Sequence, residues 1–383
     1  MRLVKRTMGQ IDPPVGVMDA LWESLSMDDV LDVAQGAPAH PTAPSIVDRV
    51  KEVAADPDGG RYTDGRGIPA LRVALAADLS EDYGGLVTAD NVLVTAGSNQ
   101  AFCLTSSALA EPGDEAVLTT PHYFNHDMWA RLDGLRPVYV DTSPETGQVN
   151  VDDVAAKLGA RTRIIVVTSP ANPTGVTASS GVIDGLADLA KARDLVLILD
   201  ETYRTFRSNP GPAHRLFQRP DWPEFFVSLQ SFSKDFAIPG YRVGAMVGSP
   251  LLADEVMKLM DCVAICAPRI GQEAALEGLR SAGEWRTEKA REVAAKHERF
   301  RSVMGESPGG FELRLSGGFY GWVRHPGPAS GTDDVVRRLA TACGVLAIPG
   351  TVFTPEDRGF VRFSFANLEP DQIDELGRRL ADF

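Results

Sequence analysis

The stretch Val196-Leu197-Ile198-Leu199-Asp200-Glu201-Thr202-Tyr203 sets an unbroken apolar run in front of two acids. Apolar residues at every position, not every second one, read as a strand buried on both faces, and therefore as part of a parallel sheet covered by helices. Similar runs recur at 92–94, 115–118, 164–167 and 225–229, with helix-prone stretches between them. That alternation predicts an α/β chain with a mainly parallel sheet between Ile46 and about Gly271. A long helix-prone segment follows over 271–303. Beyond it, 313–315, 318–323 and 361–365 read as strands, and 332–342 and 370–380 as helices, which predicts a smaller α/β unit. Residues 1–45, carrying Pro13, Pro14, Pro38, Pro41 and Pro44, read as an arm with a short helix around 17–26 that joins the small unit. The expected division is 1–45, 46–275 and 276–383.

The 383 residues are enough for two domains, and 44% hydrophobic content fits an ordinary globular protein. A net charge of −14 without basic runs argues against nucleic acid as a partner. Cys103, Cys262, Cys266 and Cys343 lie in apolar segments and read as buried, reduced thiols. Cys262 and Cys266, four apart on an expected helix, make a poor disulfide and half a metal site at best, so no metal is expected. With no apolar leader and no window of membrane-spanning length, the expectation is a cytoplasmic protein without a membrane partner.

The strand ends carry the chemistry. Asp200 stands at the edge where open α/β sheets bind ligands, and suits either a protonated pyridine nitrogen or a helix N-cap. Ser231-Phe232-Ser233-Lys234, followed by Pro239-Gly240-Tyr241-Arg242-Val243-Gly244, sets a lysine among hydroxyls with an arginine further on. A free ammonium stays protonated at neutral pH, so a nucleophilic lysine needs special surroundings. Hydroxyls and a planar, permanently charged guanidinium suit a phosphate monoester. Lysine beside a phosphate clamp is what pyridoxal 5'-phosphate (PLP) requires, the amine holding its aldehyde as a Schiff base. Gly97-Ser98-Asn99-Gln100 opens a helix after a strand, where free amides suit the same phosphate. Tyr123 follows another strand end and can stack on a planar ring, or fill the core. Asn172, in the turn-forming run 169–175, has an amide able to reach a ring oxygen or a carboxylate.

In this order the motifs resemble the class I and II aminotransferases of fold type I, the aspartate-aminotransferase-like superfamily. Arg61-Tyr62-Thr63-Asp64-Gly65-Arg66-Gly67-Ile68-Pro69-Ala70-Leu71-Arg72, Asn172-Pro173-Thr174-Gly175, Asp200-Glu201-Thr202-Tyr203, Ser231-Phe232-Ser233-Lys234 and Val361-Arg362-Phe363-Ser364 carry the likeness over nearly the whole length. The resemblance implies the PLP-dependent transferase fold type I: a large domain with a mainly parallel sheet flanked by helices, plus a smaller α/β domain. It implies a homodimer with shared active sites, exchanging an amino group between an α-amino acid and a 2-oxo acid. It implies that Lys234 binds the cofactor and shuttles a proton. Asp200 would pair with the ring nitrogen, Tyr203 and Asn172 with the ring oxygen, and Tyr123 would stack on the ring. Ser231, Ser233, Arg242 and the backbone of Gly97, Ser98 and Asn99 would hold the phosphate, with Tyr62 reaching the neighbouring subunit's. Arg362, Asn172 and the backbone near Gly36 would grip the substrate α-carboxylate. On charge grounds, Arg242 and a protonated ring lower the Lys234 pKa. Arg362 alternates with Val361 and Phe363, points inward, and needs an anionic partner.

The chain also departs from the pattern. Arg269 stands where relatives carry a small hydroxyl residue, and fits a substrate acid, a phosphate across the dimer, or a structural ion pair. Asn99 replaces a lysine found in some acidic-substrate relatives. Gly36 is followed by Ala37-Pro38 instead of a common acid; Gln35, Ala37, Pro38, Ala39 and His40 would shape the side-chain pocket, although a loop histidine is as readily solvated. The segment from Ser233 to Gly244 is also similar to 1-aminocyclopropane-1-carboxylate synthases. That likeness leaves a β- or γ-elimination or replacement enzyme, S-adenosylmethionine-using or a C–S lyase, as the alternative. A catalytically idle binding module of the same fold would lose the lysine or its clamp, and neither is lost.

Overall fold

The computed structural model describes residues 4–14, 16, 30–208 and 211–383; the helix expected around 17–26 lies outside them. Among the described residues thirteen strands follow in chain order. They are β1 (Leu31–Asp32), β2 (Val92–Thr95), β3 (Glu115–Thr120), β4 (Arg136–Asp141), β5 (Thr162–Thr168), β6 (Val196–Asp200), β7 (Phe226–Ser231) and β8 (Gly244–Val247). After them come β9 (Glu312–Gly317), β10 (Tyr320–Arg324), β11 (Val345–Leu346), β12 (Ile348–Pro349) and β13 (Phe360–Ser364).

Seven strands form the large sheet in the order β2-β8-β7-β6-β5-β3-β4. All its pairings are parallel except those of β8, which runs antiparallel to both β2 and β7. The opening stretch is β6 near the centre of this sheet, where Leu197, Ile198 and Leu199 are fully buried. Burial of side chains this size stabilises by about 1.5–3 kcal/mol each. Helices cover the faces, among them Ser98–Leu109, Ser180–Ala192 and Pro250–Val263. The last two start on serine caps: Ser179 and Ser249 accept from the amides of Val182 and Leu252 at 3.3 and 3.0 Å.

The second sheet, β12-β13-β10-β9, is antiparallel, and β1 pairs in parallel with β11 beside it. Apolar side chains separate into two cores. One runs under the large sheet; the other gathers Leu31, Val33, Phe300, Phe311, Val361 and Phe363 with the C-terminal helix Pro370–Ala381. Backbone meets backbone between the two where Gly175 lies against Gly317: a Cβ on Gly175 would stand 2.1 Å from the Gly317 carbonyl oxygen.

Three expectations need correction. The segment 271–303 is two helices, Arg269–Ser281 and Gly283–Gly305, broken at Ala282, whose ψ of 22° leaves the helical range; helix-prone composition hides a one-residue break. Cys262 and Cys266 do not share a helix, because Pro250–Val263 ends between them and Ile265 has φ 64°. Cys262 is also exposed, though all four cysteines are free. Strands β4 and β8 add to the sequence reading. β4 opens on Arg136-Pro137, and β8 on a glycine within a motif read for its chemistry.

Candidate active site

The C-terminal ends of β5, β6 and β7 open on a cavity of about 290 Å³, closed from the other side by β10, β13 and the segment after β1. Lys234 enters it from the four-residue helix Phe232–Asp235 at the exit of β7. Its amine is lowered from 10.5 to about 8, first by burial and then by the charges of Arg362 and Arg242. The sequence reading credited Arg242; burial is the larger cause, and Arg362 acts ahead of Arg242.

At the exit of β6, Asp200 is buried and divides its two oxygens. Oδ1 accepts from the Thr202 amide and hydroxyl at 3.0 and 2.7 Å, a local turn and not a helix cap, since the next helical turn, Arg204–Phe206, has Tyr203 at its N-cap position. Oδ2 lies 3.2 Å from Nε2 of His126. His126 is itself buried between Phe102 and Tyr123, with ring centroids at 4.1 and 5.1 Å. Thr202 Oγ1 also meets Ser98 Oγ at 3.0 Å, tying the β6 exit to the helix after β2.

Tyr203 shares a hydrogen bond with Tyr320 of β10, hydroxyl to hydroxyl. Burial raises the pKa of Tyr203, Tyr320 and Tyr123, the last to about 12, so all three hydroxyls keep their protons at neutral pH and can donate. Tyr320 also fixes the segment after β1: a Cβ on Gly36 would stand 2.0 Å from its hydroxyl oxygen.

Arg362 crosses from β13 into the cavity. Its Nη1 donates to Asn172 Oδ1 at 2.9 Å and its Nη2 to the Ala34 carbonyl. The guanidinium lies over Tyr320 and Phe353 at 4.7 and 5.2 Å, and Nε has no partner. Among the described residues no carboxylate stands within 4.0 Å of it. Since Asn172 spends its oxygen on Arg362, its amide donor is left for the cavity.

On the opposite side Ser231 Oγ accepts from the Ser233 amide at 3.3 Å. Arg242, at φ 51°, donates to the carbonyls of Pro239 and Ala96 at 2.7 and 3.4 Å. Gly97, at φ 91°, holds a backbone conformation that side-chain-bearing residues rarely adopt, and a Cβ there would also lie 2.6 Å from Arg242 Nη2. The first-turn amides of Ser98–Leu109 face this guanidinium without acceptors inside the helix. Amides, hydroxyls and one arginine thus gather at one end of the cavity, a donor set that could hold an anion.

A sequence model described as aminotransferase class I and II matches residues 28–380. The chain belongs to this family. An aspartate aminotransferase of Sulfolobus acidocaldarius is 30% identical over 365 residues, covering 91% of this chain and 88% of that one. The aromatic aminotransferase ISS1 of Arabidopsis thaliana is 29% identical over 388 residues, covering 99% and 95%. Thermus thermophilus aspartate aminotransferase (a single mutant) superimposes with a TM-score of 0.90 at 26% identity, covering 100% of both chains. The fold is that of these type I enzymes, and the chain is an aminotransferase. Relatives named for transamination do not favour the elimination and replacement alternative.

Most residues singled out in the sequence line this cavity: Gly36, Ser98, Asn99, Tyr123 and Asn172, then Asp200, Tyr203, Ser231, Ser233, Lys234, Arg242 and Arg362. Gly97 backs it. Gln35 and Ala37 also reach it, but His40 does not; its ring stands edge-on to Trp285 at 5.4 Å. Tyr62 lies outside, 74% exposed. Arg269 donates to the Asp58 carbonyl at 3.2 Å and lies 3.7 Å from Glu273, the ion-pair reading. Sequence reasoning missed His126, Thr202 and Tyr320. Only His126 had a usable signal, lying three residues after Tyr123 on the helix opening at that strand end.

Proposed function

We propose that this aminotransferase binds PLP at Lys234 and moves an amino group between an α-amino acid and a 2-oxo acid. The observation that carries the proposal is Arg362: a buried, permanent charge with a neutral amide, a carbonyl and two aromatic faces around it, and no acid among the described residues. Such a group is completed by an anion brought from outside, and a planar fork suits an α-carboxylate.

The cavity fits the cofactor at each end. The donor set at Ser231, Ser233, Arg242 and the amides following Gly97 suits the phosphate. Asp200, backed by His126, suits the ring nitrogen; the Tyr203 hydroxyl and the Asn172 amide suit the ring oxygen, and Tyr123 suits the ring face. When bound, PLP supplies an electron sink for the carbanion formed at the substrate Cα. Lys234, with its lowered pKa, is the group that can take the Cα proton near neutral pH and hold it. Arg362 and Asn172 orient the substrate, and Tyr320 locks Tyr203 in place.

The two cores support a large and a small domain, with Leu31, Val33 and Ala34 joining the small one. They also support a boundary beyond the 275/276 expected from sequence, because the helix Arg269–Ser281 crosses that point and Leu276 and Ala282 pack in the large core. Exposure of Tyr62, Leu251 and Val263 supports a homodimer in which Tyr62 completes the site of the second copy. No helix of the described residues is long and apolar enough to cross a membrane. Free cysteines support a cytoplasmic location.

The test is direct. Protein loaded with PLP is given a panel of amino acids, with and without a 2-oxo acid acceptor, and the products are quantified. A new amino acid formed only with acceptor supports the proposal. Ammonia and a 2-oxo acid formed from a donor bearing a leaving group, without acceptor, would replace transamination by elimination.

A further inference from the structure

Behind the lysine the structure holds a second buried cation that the chemistry above does not use. Arg204, one residue after Tyr203, is 4% exposed and faces three carboxylates. It donates to Asp78 and, at 3.3 Å, to Asp82, both on the helix Pro69–Tyr83. Its Nη2 also lies 3.6 Å from Oδ2 of Asp235, the residue after Lys234. Thr205 donates its hydroxyl to the other Asp235 oxygen at 2.8 Å. Arg286, on the helix Gly283–Gly305, donates to Asp78 at 2.8 Å and lies 5.8 Å from the Phe236 ring.

The three residues following Lys234 are each held. Asp235 is gripped by Arg204 and Thr205, and Phe236 packs so tightly on the helix Arg269–Ser281 that a Cβ on Gly278 would stand 2.7 Å from its ring. The Ala237 carbonyl accepts from Thr42 at 2.8 Å, and Ala237 itself sits at φ 54°. The first two grips join the turn carrying Lys234 directly to the turn carrying Tyr203. Removing one partner of a charge pair inside a protein is costly, because the other charge is left buried alone, so the two turns are tied to each other.

We propose that Asp235 and Arg204 are positioning residues that set Lys234 Nζ for its covalent link to PLP; the inference rests on the PLP reading above. In that link the amine nitrogen replaces the aldehyde oxygen, which leaves as water. Pyridoxamine 5'-phosphate presents every other feature of the cofactor but cannot make this bond. Its affinity therefore reports the rest of the cavity, and the difference between the two ligands reports the placement of Lys234.

The experiment titrates PLP and pyridoxamine 5'-phosphate separately into cofactor-free wild type, Asp235→Asn and Thr205→Val, by quenching of intrinsic fluorescence, with unfolding midpoints measured alongside. The expected result is PLP affinity falling about tenfold in Asp235→Asn and less in Thr205→Val, with pyridoxamine 5'-phosphate affinity unchanged. Equal losses for both ligands, or no loss for either, would reduce Asp235 to a structural residue and overturn the proposal. If Asp235→Asn does not fold, Thr205→Val, which deletes one hydroxyl outside the cavity, decides by the same criterion. Wild type binding neither ligand would instead overturn the PLP reading.

Discussion

Two arginines of this aminotransferase are almost equally buried, Arg204 at 4% and Arg362 at 3% exposure, and they differ in everything around them. Arg204 is surrounded by Asp78, Asp82 and Asp235; Arg362 meets an amide, a carbonyl and two rings. The charge of the first is neutralised by its own chain, so its removal should be felt by the fold. The charge of the second is not, so its removal should be felt by a ligand. Burial alone does not separate structure from function; what neutralises the buried charge does.

The comparison breaks most visibly at Arg204. Arg204→Met takes a cation from three carboxylates. Asp82 keeps Arg207, and Asp235 is left without an ion pair among the described residues. Asp78, held well below the ordinary range by Arg204 and Arg286 against the opposing effect of burial, keeps only Arg286. The expected loss is about 3–5 kcal/mol of folding stability, measured by urea unfolding of the cofactor-free protein. A loss below about 1 kcal/mol would mean that the cluster is not a unit. Arg362→Met should do the reverse. Stability stays level or rises, because a buried charge without an acid is replaced by an apolar chain, while kcat/KM for the amino donor falls on the order of 10²–10³-fold. PLP affinity should change far less than donor affinity in that variant; equal losses would remove Arg362 from the carboxylate role.

A pH titration sharpens the same contrast, because Arg362 and Arg242 act on Lys234 after burial does. With the folded amine at about 8 and the ordinary value at 10.5, the unfolded chain binds the extra proton between those values. Stability of the cofactor-free protein should therefore climb as pH rises through that window, the penalty being fully present below about 8. Lys234→Met should lack the climb and be the more stable protein at neutral pH; parallel wild-type and variant curves would contradict the lowered pKa. The smallest effect is expected at Tyr320→Phe. It deletes the hydroxyl partner of Tyr203 while keeping the ring under Arg362, and should cost about 1 kcal/mol, read as a severalfold fall in kcat with KM for the donor nearly constant.

Sequence made the parallel sheet legible because β6, β5 and β3 are buried on both faces and need apolar residues at consecutive positions. The residues at their ends were legible for a related reason: Asp200, Asn172 and Lys234 interrupt or follow those runs with polar chemistry that a core would not choose. His126 offered only its place three residues after Tyr123, and Tyr320 offered nothing, since each acts through a partner distant in the chain. Nothing local distinguishes Tyr320 from a core tyrosine until Tyr203 and Arg362 meet it. Arg204 was passed over for the same reason, because its three acids lie on two elements distant in the chain, the helix Pro69–Tyr83 and the turn of Lys234. Arg269 is the converse case: a departure conspicuous in the sequence that resolves, within the chain, into contacts with Glu273 and Asp58.

The reversed direction of β8 has a consequence of its own. A strand running backwards begins where its neighbours stop, so Arg242, just before β8, comes to the same lip as Lys234, just after β7. One short return of the chain thereby carries both the amine and one of the charges that lower its proton affinity. Lengthening or shortening that return would shift the nucleophile and its electrostatic control together, so the two cannot drift apart independently.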